Sequence, residues 1–401
     1  MSLLMIEPDW SKEGSYWFDL WDHSARDSLS AALKMPVLGS KLSDDAAMFL
    51  ASAVALRGAG SVSPNPLVGA VILDKNGGFV SVGAHLKLGS AHAEINALRG
   101  AETRDLDGGS IFVTLEPCAH EGRTPACAKT LARTMISRIV YAVRDPNPAV
   151  DGQGHQILEA AGKIVKVATQ WQSRCEWVAR VFLYNQRYQK VFTGLKVAST
   201  LDGVIAGDKS SRLWITGERA REMGHFLRLE YDSILVGIGT FLLDDPTLNV
   251  RHPGLSGRTP LRVVLDPKDQ IKNEKRKFKM LSDEPSKTLV VCPGTDGVVT
   301  TGDQGIMKLR LPVDKKGHFD FGGIKKALWH QGVRSLLIEG GAGIYQSALS
   351  SSAVDVIHWF LGRTSGHDGL RWSIPQELKD QFAAGSGIML GADRLIELSI
   401  D

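Results

Sequence analysis

A chain of 401 residues, 43% hydrophobic and 23% charged, is long enough for two or three domains that each bury a core. Its formal net charge of +3 is too small at this length to imply a polyanion partner, and four cysteines are too few for a disulfide scaffold. No apolar stretch reaches the ~18 residues of a membrane span, and "MSLLMIEPDW" lacks the charged and apolar regions of a signal peptide. A cytoplasmic protein is expected, with thiols free to act as metal ligands.

Residues 1–42 form a prefix carrying Trp10, Trp17 and Trp21, an arm of unknown role. From Ser43, "SDDAAMFLASAVALRGAG" has helical apolar spacing and an acidic first turn that suits the helix dipole. "VSPNPLVGAVILD" gives a proline-bracketed turn and a strand over Leu67–Leu73. "GSAHAEINALRG" reads as a helix with Ser90 as N-cap, and "GSIFVTLEP" as a strand stopping at Glu116-Pro117. Thr124-Pro125 look like N-cap and first residue of a helix over "ACAKTLART", and "RIVYAVRDPNP" is a further strand. This alternation predicts an α/β/α sandwich over 43–170, with a helix over 171–190 leading to a second block at 191–401. There, "FTGLKVASTLDGVIA", "DSILVGIGT", "LRVVLD", "TLVVC", "SLLIEGG" and "DVIHWFL" predict a second α/β domain with a mostly parallel sheet. The basic run Lys272–Lys279 reads as a solvated loop.

The chemistry concentrates in two phrases, "HAEINAL" from His92 and "TLEPCAHEGRTPAC" from Thr114 to Cys127. Zinc deaminases of bases read H-x-E and then P-C-x-x-C; here the second cysteine comes nine residues after the first. A catalytic zinc needs three protein ligands and one open position, and His92, Cys118 and Cys127 supply that count, one zinc per chain. Each is expected at a helix start, where the dipole favours a thiolate. Glu94 is the non-ligand carboxylate that moves protons. The eight residues between the cysteines look like an insertion facing the substrate: His120 and Arg123 suit a phosphorylated or carbonyl-rich heterocycle, and Asn65 offers an amide to a ring edge. Singly, each of these reads better as a turn or surface residue. Lys196 and Asp202 could likewise be a surface ion pair.

Together, "SPNPLVGAVI", "HAEINAL" and "TLEPCAHEGRTPAC" resemble the deaminase half of the bifunctional riboflavin-biosynthesis deaminase–reductases, in which the long cysteine spacing is normal. "LKVASTLDGVIA", "WIT", "DSILVGIGTFLLDDPTLNVR" and "IEGGAGIYQSAL" are similar to the reductase half. The resemblance spans roughly residues 44–400. It implies a cytidine-deaminase-like sandwich followed by a dihydrofolate-reductase-like domain that uses NADPH. It also implies zinc on His92, Cys118 and Cys127, Glu94 as proton shuttle, and Asn65, His120 and Arg123 as substrate contacts. In the second half it implies Lys196 and Asp244 in reduction, and Arg228, Leu248, Arg251 and Glu339 at the substrate. Ala198, Trp214, Thr240, Asp244 and the turn Gly341, Ala342, Gly343, Ile344, Tyr345, Gln346 and Ser347 are implied at the cofactor. A strand followed by "EGGAG" and a helix independently suits a phosphate.

The implied reactions are hydrolytic deamination of 2,5-diamino-6-(5-phosphoribosylamino)pyrimidin-4-one, then reduction of the ribosyl group to ribityl by NADPH. The substrate is thus a small phosphorylated pyrimidine, with neither nucleic acid nor membrane as partner, and the family's habit implies a homo-oligomer, dimer or tetramer. Departures stand out. Arg212 replaces a family serine two residues before the tryptophan of "WIT", and Pro267 replaces one after "VVLD". "LGRTSGHDGLRW" stands where the family has Ala-Pro and a glycine-rich loop, and the prefix has no counterpart. Three rivals therefore stay open: a deaminase with a degenerate reductase half, a nucleic-acid deaminase, and a non-catalytic zinc module.

Overall fold

The computed structural model describes residues 35–119, 125–146, 152–206, 214–251, 259–302, 305–365, 368–372 and 387–399. His120, Arg123, Thr124, Arg212 and the three tryptophans of the prefix lie outside them. The described chain divides at Gln189–Lys190 into two compact units.

The first unit opens with α1 (Asp44–Ala55), capped by Ser43 Oγ, which accepts the amide of Ala46 at 3.1 Å. Its residues Ala47–Ala55 are all buried, so this helix is enclosed rather than surface-lying. Strands β1 (Gly69–Leu73) and β2 (Phe79–Ala84), α2 (Ala93–Gly100), β3 (Ser110–Leu115), α3 (Cys127–Ala132), β4 (Arg138–Val143), α4 (Gln153–Ala160) and β5 (Ile164–Val167) follow. The sheet runs β2-β1-β3-β4-β5, antiparallel at β2-β1-β3 and parallel from β3 to β5. Two glycines let helices lie directly on it. A Cβ at Gly69 would sit 1.9 Å from Ala51 O of α1, and one at Gly83 would sit 2.1 Å from Ala93 O of α2. Gly69 pairs with Ala84 and Gly83 with Ala70, so the two glycines face opposite sides and the helices clasp both faces. This is the expected sandwich. α5 (Gln172–Tyr188) closes it on the α1 side, where the Arg174 guanidinium stacks 4.6 Å from the Phe49 ring and Trp171 Nε1 donates to Asp45 at 2.6 Å.

The second unit is built on β6 (Phe192–Ser199), β7 (Val204–Ala206), α6 (Glu218–Glu230), β8 (Ser233–Gly237), α7 (Ile238–Asp244), β9 (Leu261–Leu265), β10 (Thr288–Pro293), β11 (Val299–Thr301), β12 (Met307–Leu311), α8 (Phe321–His330), β13 (Ser335–Ile338), α9 (Ala342–Ser350), β14 (Val356–Leu361), β15 (Leu370–Arg371), β16 (Ile388–Leu390) and β17 (Asp393–Ser399). Its large sheet is ordered β11-β12-β10-β9-β8-β13-β6-β14-β17-β16. All pairs from β12 to β14 are parallel, and antiparallel strands stand only at the margins, as the apolar runs predict. Fully buried Leu195, Val197, Val263, Leu336 and Ile357 centre its core.

Three local expectations are corrected. Ser90 does not cap α2: its hydroxyl donates to Lys87 O at 2.7 Å within the preceding turn, and His92 holds the N-cap position. The turn is held instead by Asn96, whose Nδ2 reaches Ala84 O at 2.8 Å and Ala91 O at 3.1 Å. Pro125 does not start α3, which begins at Cys127. There the amide of Cys127 donates to Cys118 Sγ at 3.3 Å, so a thiol satisfies a first-turn donor. Finally, Asp202 pairs not with Lys196 but with Thr200 Oγ1, at 2.6 Å, and with Arg371, at 3.3 Å.

Candidate active sites

In the first unit, His92 stands at the N-cap of α2 and Cys127 opens α3, while Cys118 lies in the loop after β3 rather than at a helix start. The loop is fixed from behind. Buried Glu116 accepts the amides of Gly152 and His155 at 3.2 and 3.1 Å, an anchor at the N-terminus of α4 that holds the Pro-Cys step in place. The three donor atoms lie within 4.8 Å of one another. His92 Nδ1 is 3.6 Å from Cys118 Sγ and 3.4 Å from Cys127 Sγ. With metal–ligand bonds of about 2.3 Å to sulfur and about 2.0 Å to nitrogen, a tetrahedral zinc sets N···S edges of roughly 3.5 Å. The residues present fit that ion.

Glu94, 3% exposed, lies one helical step inside α2. Burial pushes its carboxyl up to about 7, helped by the neighbouring Cys118 and opposed by His92. The hydrogen bond between the two thiols lowers Cys118 and raises Cys127. A cavity of about 470 Å³ adjoins these groups, lined by Asn65, His85, His92, Glu94 and Cys118 among others. Asn65 is held in register. Its Nδ2 lies 3.1 Å from His85 Nε2, and His85 Nδ1 lies 3.2 Å from Ala91 O. Sequence reading missed His85, Ser90, Asp145, Phe182 and Gln186 in this lining. Only the last two carried a signal, since they stand four apart on α5 and so share a face.

In the second unit, Lys196, Arg228 and Glu339 meet. Arg228 Nε and Nη2 fork onto the Glu339 carboxylate at 2.7 and 2.9 Å, and Lys196 Nζ stands 4.0 Å away. Burial raises the Glu339 carboxyl, but the two cations outweigh it and hold it at about 2. Burial lowers Lys196 below the usual ammonium range, with Glu339 opposing. As a clamp on a free phosphate, Arg228 would first have to release Glu339. Its Nη1 also points to Asn249 O at 3.4 Å, in the turn after α7. In that turn Asp245 and buried Leu248 take φ of 41° and 48°, left-handed values that cost a non-glycine residue about 1 kcal/mol or more. Arg251 reaches Thr247 Oγ1 and, at 2.9 Å, Asn249 Oδ1. Asp244 ends α7 exposed and takes no part in the Lys196–Glu339–Arg228 pairing.

A second cavity, about 320 Å³, is lined by Thr240 and by Gly341, Ala342, Gly343, Ile344 and Ser347 at the start of α9. Tyr345, also expected here, is buried against Trp372 with ring centroids 6.5 Å apart; Gln346, Ala198 and exposed Trp214 lie outside this lining. Pro267 does line it, as do Gly237 and Ile238, which lie in the reductase-like stretch Asp232–Arg251 without having been singled out, and His318, which no motif announced.

Residues 42–143 match the family described as the cytidine and deoxycytidylate deaminase zinc-binding region, and residues 192–363 match the RibD C-terminal domain. Fold and sites thus define a two-domain enzyme, a pyrimidine deaminase joined to a reductase. The riboflavin biosynthesis protein RibD of Bacillus amyloliquefaciens is 36% identical over 77% of this chain and 81% of its own length; that of Aquifex aeolicus is 36% identical over 83% and 92%. Among solved structures, the diaminohydroxyphosphoribosylaminopyrimidine deaminase/5-amino-6-(5-phosphoribosylamino)uracil reductase of Thermotoga maritima superposes with a TM-score of 0.74 at 29% identity, covering 88% of this chain and 98% of that one. The chain belongs to the RibD family of riboflavin biosynthesis proteins and carries both its deaminase and its reductase domain.

Proposed function

We propose that the first unit hydrolytically deaminates 2,5-diamino-6-(5-phosphoribosylamino)pyrimidin-4-one and that the second reduces the ribosyl group of the product to ribityl with NADPH. The observation that carries the reading is the convergence of His92, Cys118 and Cys127 beside a buried Glu94 on one cavity. Zinc bound by these three would supply the Lewis acid that makes water nucleophilic near neutral pH. Glu94 is not among the ligands, so its carboxylate can pass the proton of the attacking water to the ring nitrogen, and then the proton of the newly added hydroxyl to the amine, which leaves as ammonia. Asn65, oriented through His85, recognises the pyrimidine edge, and His120 and Arg123 complete the substrate contacts from the segment between the cysteines.

In the second unit NADPH would supply the hydride. Lys196 and Asp244 hold and protonate the opening sugar, while Glu339, Arg228, Leu248 and Arg251 bound the substrate. Thr240 and the Gly341–Ser347 turn receive the cofactor's phosphates, since the N-terminus of α9, with Gly341, Ala342 and Gly343 at the cavity, presents a positive dipole end and first-turn amides to it. Ala198, Trp214 and the remaining turn residues Tyr345 and Gln346 support it. No helix among the described residues is long and apolar enough to cross a membrane, and all four cysteines are free thiols. The cytoplasmic location and homo-oligomeric state proposed for the chain rest on its family resemblance.

The test is to incubate the protein with the diaminopyrimidine nucleotide, with and without NADPH, and to identify products by mass while measuring zinc. Deaminated ribosyl product alone without NADPH, and ribityl product with it, is the expected result. Only the ribosyl compound at saturating NADPH would leave a deaminase with a degenerate reductase half. No reaction with full zinc would leave a non-catalytic zinc module.

A further inference from the structure

Lys196 lies on β6, between β13 and β14 in the sheet. Register sets His358 of β14 beside it, and Glu397 of β17 beside His358. Paired residues of adjacent strands project to the same face. α6 covers that face, since a Cβ at Gly224 would come within 3.8 Å of Lys196 Cε. Two polar fastenings hold this helix down. Arg228, in its last turn, forks onto Glu339 at the end of β13. Tyr231, its C-cap, brings its hydroxyl to 2.7 Å from His358 Nε2, with the two rings at 83°. Lys196 thus sits on the strand between the two points at which α6 is tied down.

The second fastening uses a group that the proposed chemistry does not. His358 is wholly enclosed. Its Nδ1 stands 2.7 Å from Glu397 Oε1, an ion-pair distance that falls outside hydrogen-bond geometry. With its proton on the Glu397 side, the ring offers Nε2 as acceptor to the Tyr231 hydroxyl. Burying an imidazole is costly unless its nitrogens are engaged, and an apolar side chain would fill the same place without that cost. The backbone also yields to the contact. A Cβ at Gly194 would lie 2.1 Å from Tyr231 Oη and 3.1 Å from His358 Nε2.

We infer that Tyr231 and His358, backed by Glu397, are positioning residues of the reductase. Tying α6 to β14 on one side of Lys196, as Arg228 ties it to β13 on the other, fixes the spacing at which Lys196 and Arg228 meet the substrate. The inference rests on the reductase reading above.

Steady-state kinetics on the full-length, zinc-loaded chain test it with Tyr231→Phe, His358→Leu and His358→Gln. In Tyr231→Phe and His358→Leu the Michaelis constant for the ribosyl substrate should rise about tenfold, the worth of one hydrogen bond. The Michaelis constant for NADPH and the rate of deamination should not move. Gln places an amide near the Nε2 position and should recover most of the loss. A defect that merely lowered the folded fraction would scale kcat and leave both Michaelis constants alone; that pattern, or wild-type kinetics in Tyr231→Phe, overturns the inference. If His358→Leu fails to fold, Tyr231→Phe decides alone. A wild-type chain that never reduces the ribosyl substrate would sink the reductase reading itself, and the positioning role with it.

Discussion

Replacing Arg228 by Met keeps an unbranched, largely apolar stem and removes the guanidinium. Glu339 then keeps Lys196, 4.0 Å away, and a weaker influence of His225, in place of two charge-assisted bonds of 2.7 and 2.9 Å. The Arg228 and Glu339 side chains are 16% and 9% exposed, so water cannot take over the solvation. Removing one partner of a buried pair costs about 3–5 kcal/mol, most of it from the stranded charge. Arg228→Met combined with Glu339→Gln should therefore be more stable than Arg228→Met alone. The pH dependence carries the sharper signature. The Glu339 carboxyl is held at about 2, below its unfolded value of 4.5. A depressed acid contributes stability that is complete above the unfolded value and is lost as pH falls through the folded one. The gap between wild type and Arg228→Met should thus be full near neutrality and close between about pH 5 and about pH 2. Urea unfolding at a series of pH values, with hydrogen exchange on β6 and β13 peptides assigning the transition to the second unit, measures it. A variant within about 0.5 kcal/mol of wild type at neutral pH, or a gap unchanged in acid, would show that the pair is not what holds these groups.

Cys127→Ala should lose most of the zinc, because two ligands rarely suffice; full metal content by elemental analysis would remove Cys127 from the ligand set. Glu94→Gln is nearly isosteric and outside that set, so zinc should stay while deamination falls at least ~10²-fold. Loss of metal in that variant would make Glu94 structural. Asp244→Asn should stop ribityl formation and leave deamination intact, both read by product mass; unchanged reduction would exclude Asp244 from the chemistry. Pro267 lines the second cavity without a hydroxyl or an amide proton. Pro267→Ser should tighten NADPH binding by up to about tenfold in a fluorescence titration, and an unchanged dissociation constant would place the cofactor elsewhere.

What could be read in advance was chemistry carried by neighbours in sequence. H-x-E, E-P-C and the later cysteine pointed to His92, Cys118 and Cys127, which the fold brings within 4.8 Å of one another, because each is fixed by the residues beside it, on a strand end or a helix start. The parallel order of the second sheet was equally legible from short apolar runs separated by helical stretches. What stayed hidden is what the fold brings together from afar. His85 ends a strand as an unremarked histidine, yet it lies 3.1 Å from Asn65 and decides which way that amide faces. His318 reaches the same cavity as Ile238 from 80 residues further along the chain, and it sits in no pattern of its own.

The errors share a cause. Ser90 and Thr124-Pro125 looked like helix caps because serine, threonine and proline are the usual solutions to unpaired first-turn amides. Both helices start later, with the candidate ligands His92 as N-cap and Cys127 as first residue, and in α3 the first-turn amide of Cys127 is taken by Cys118 Sγ at 3.3 Å. A ligand thiol that also accepts a helix amide serves two ends at once, since the bond stabilises the thiolate and fixes its direction. Local rules failed at these two places because the candidate ligands His92 and Cys127 occupy the positions the rules would fill. The same holds for Leu248, whose left-handed backbone no propensity would suggest. It lies in the turn whose Asn249 carbonyl meets Arg228, so the strain sits where the second site is assembled.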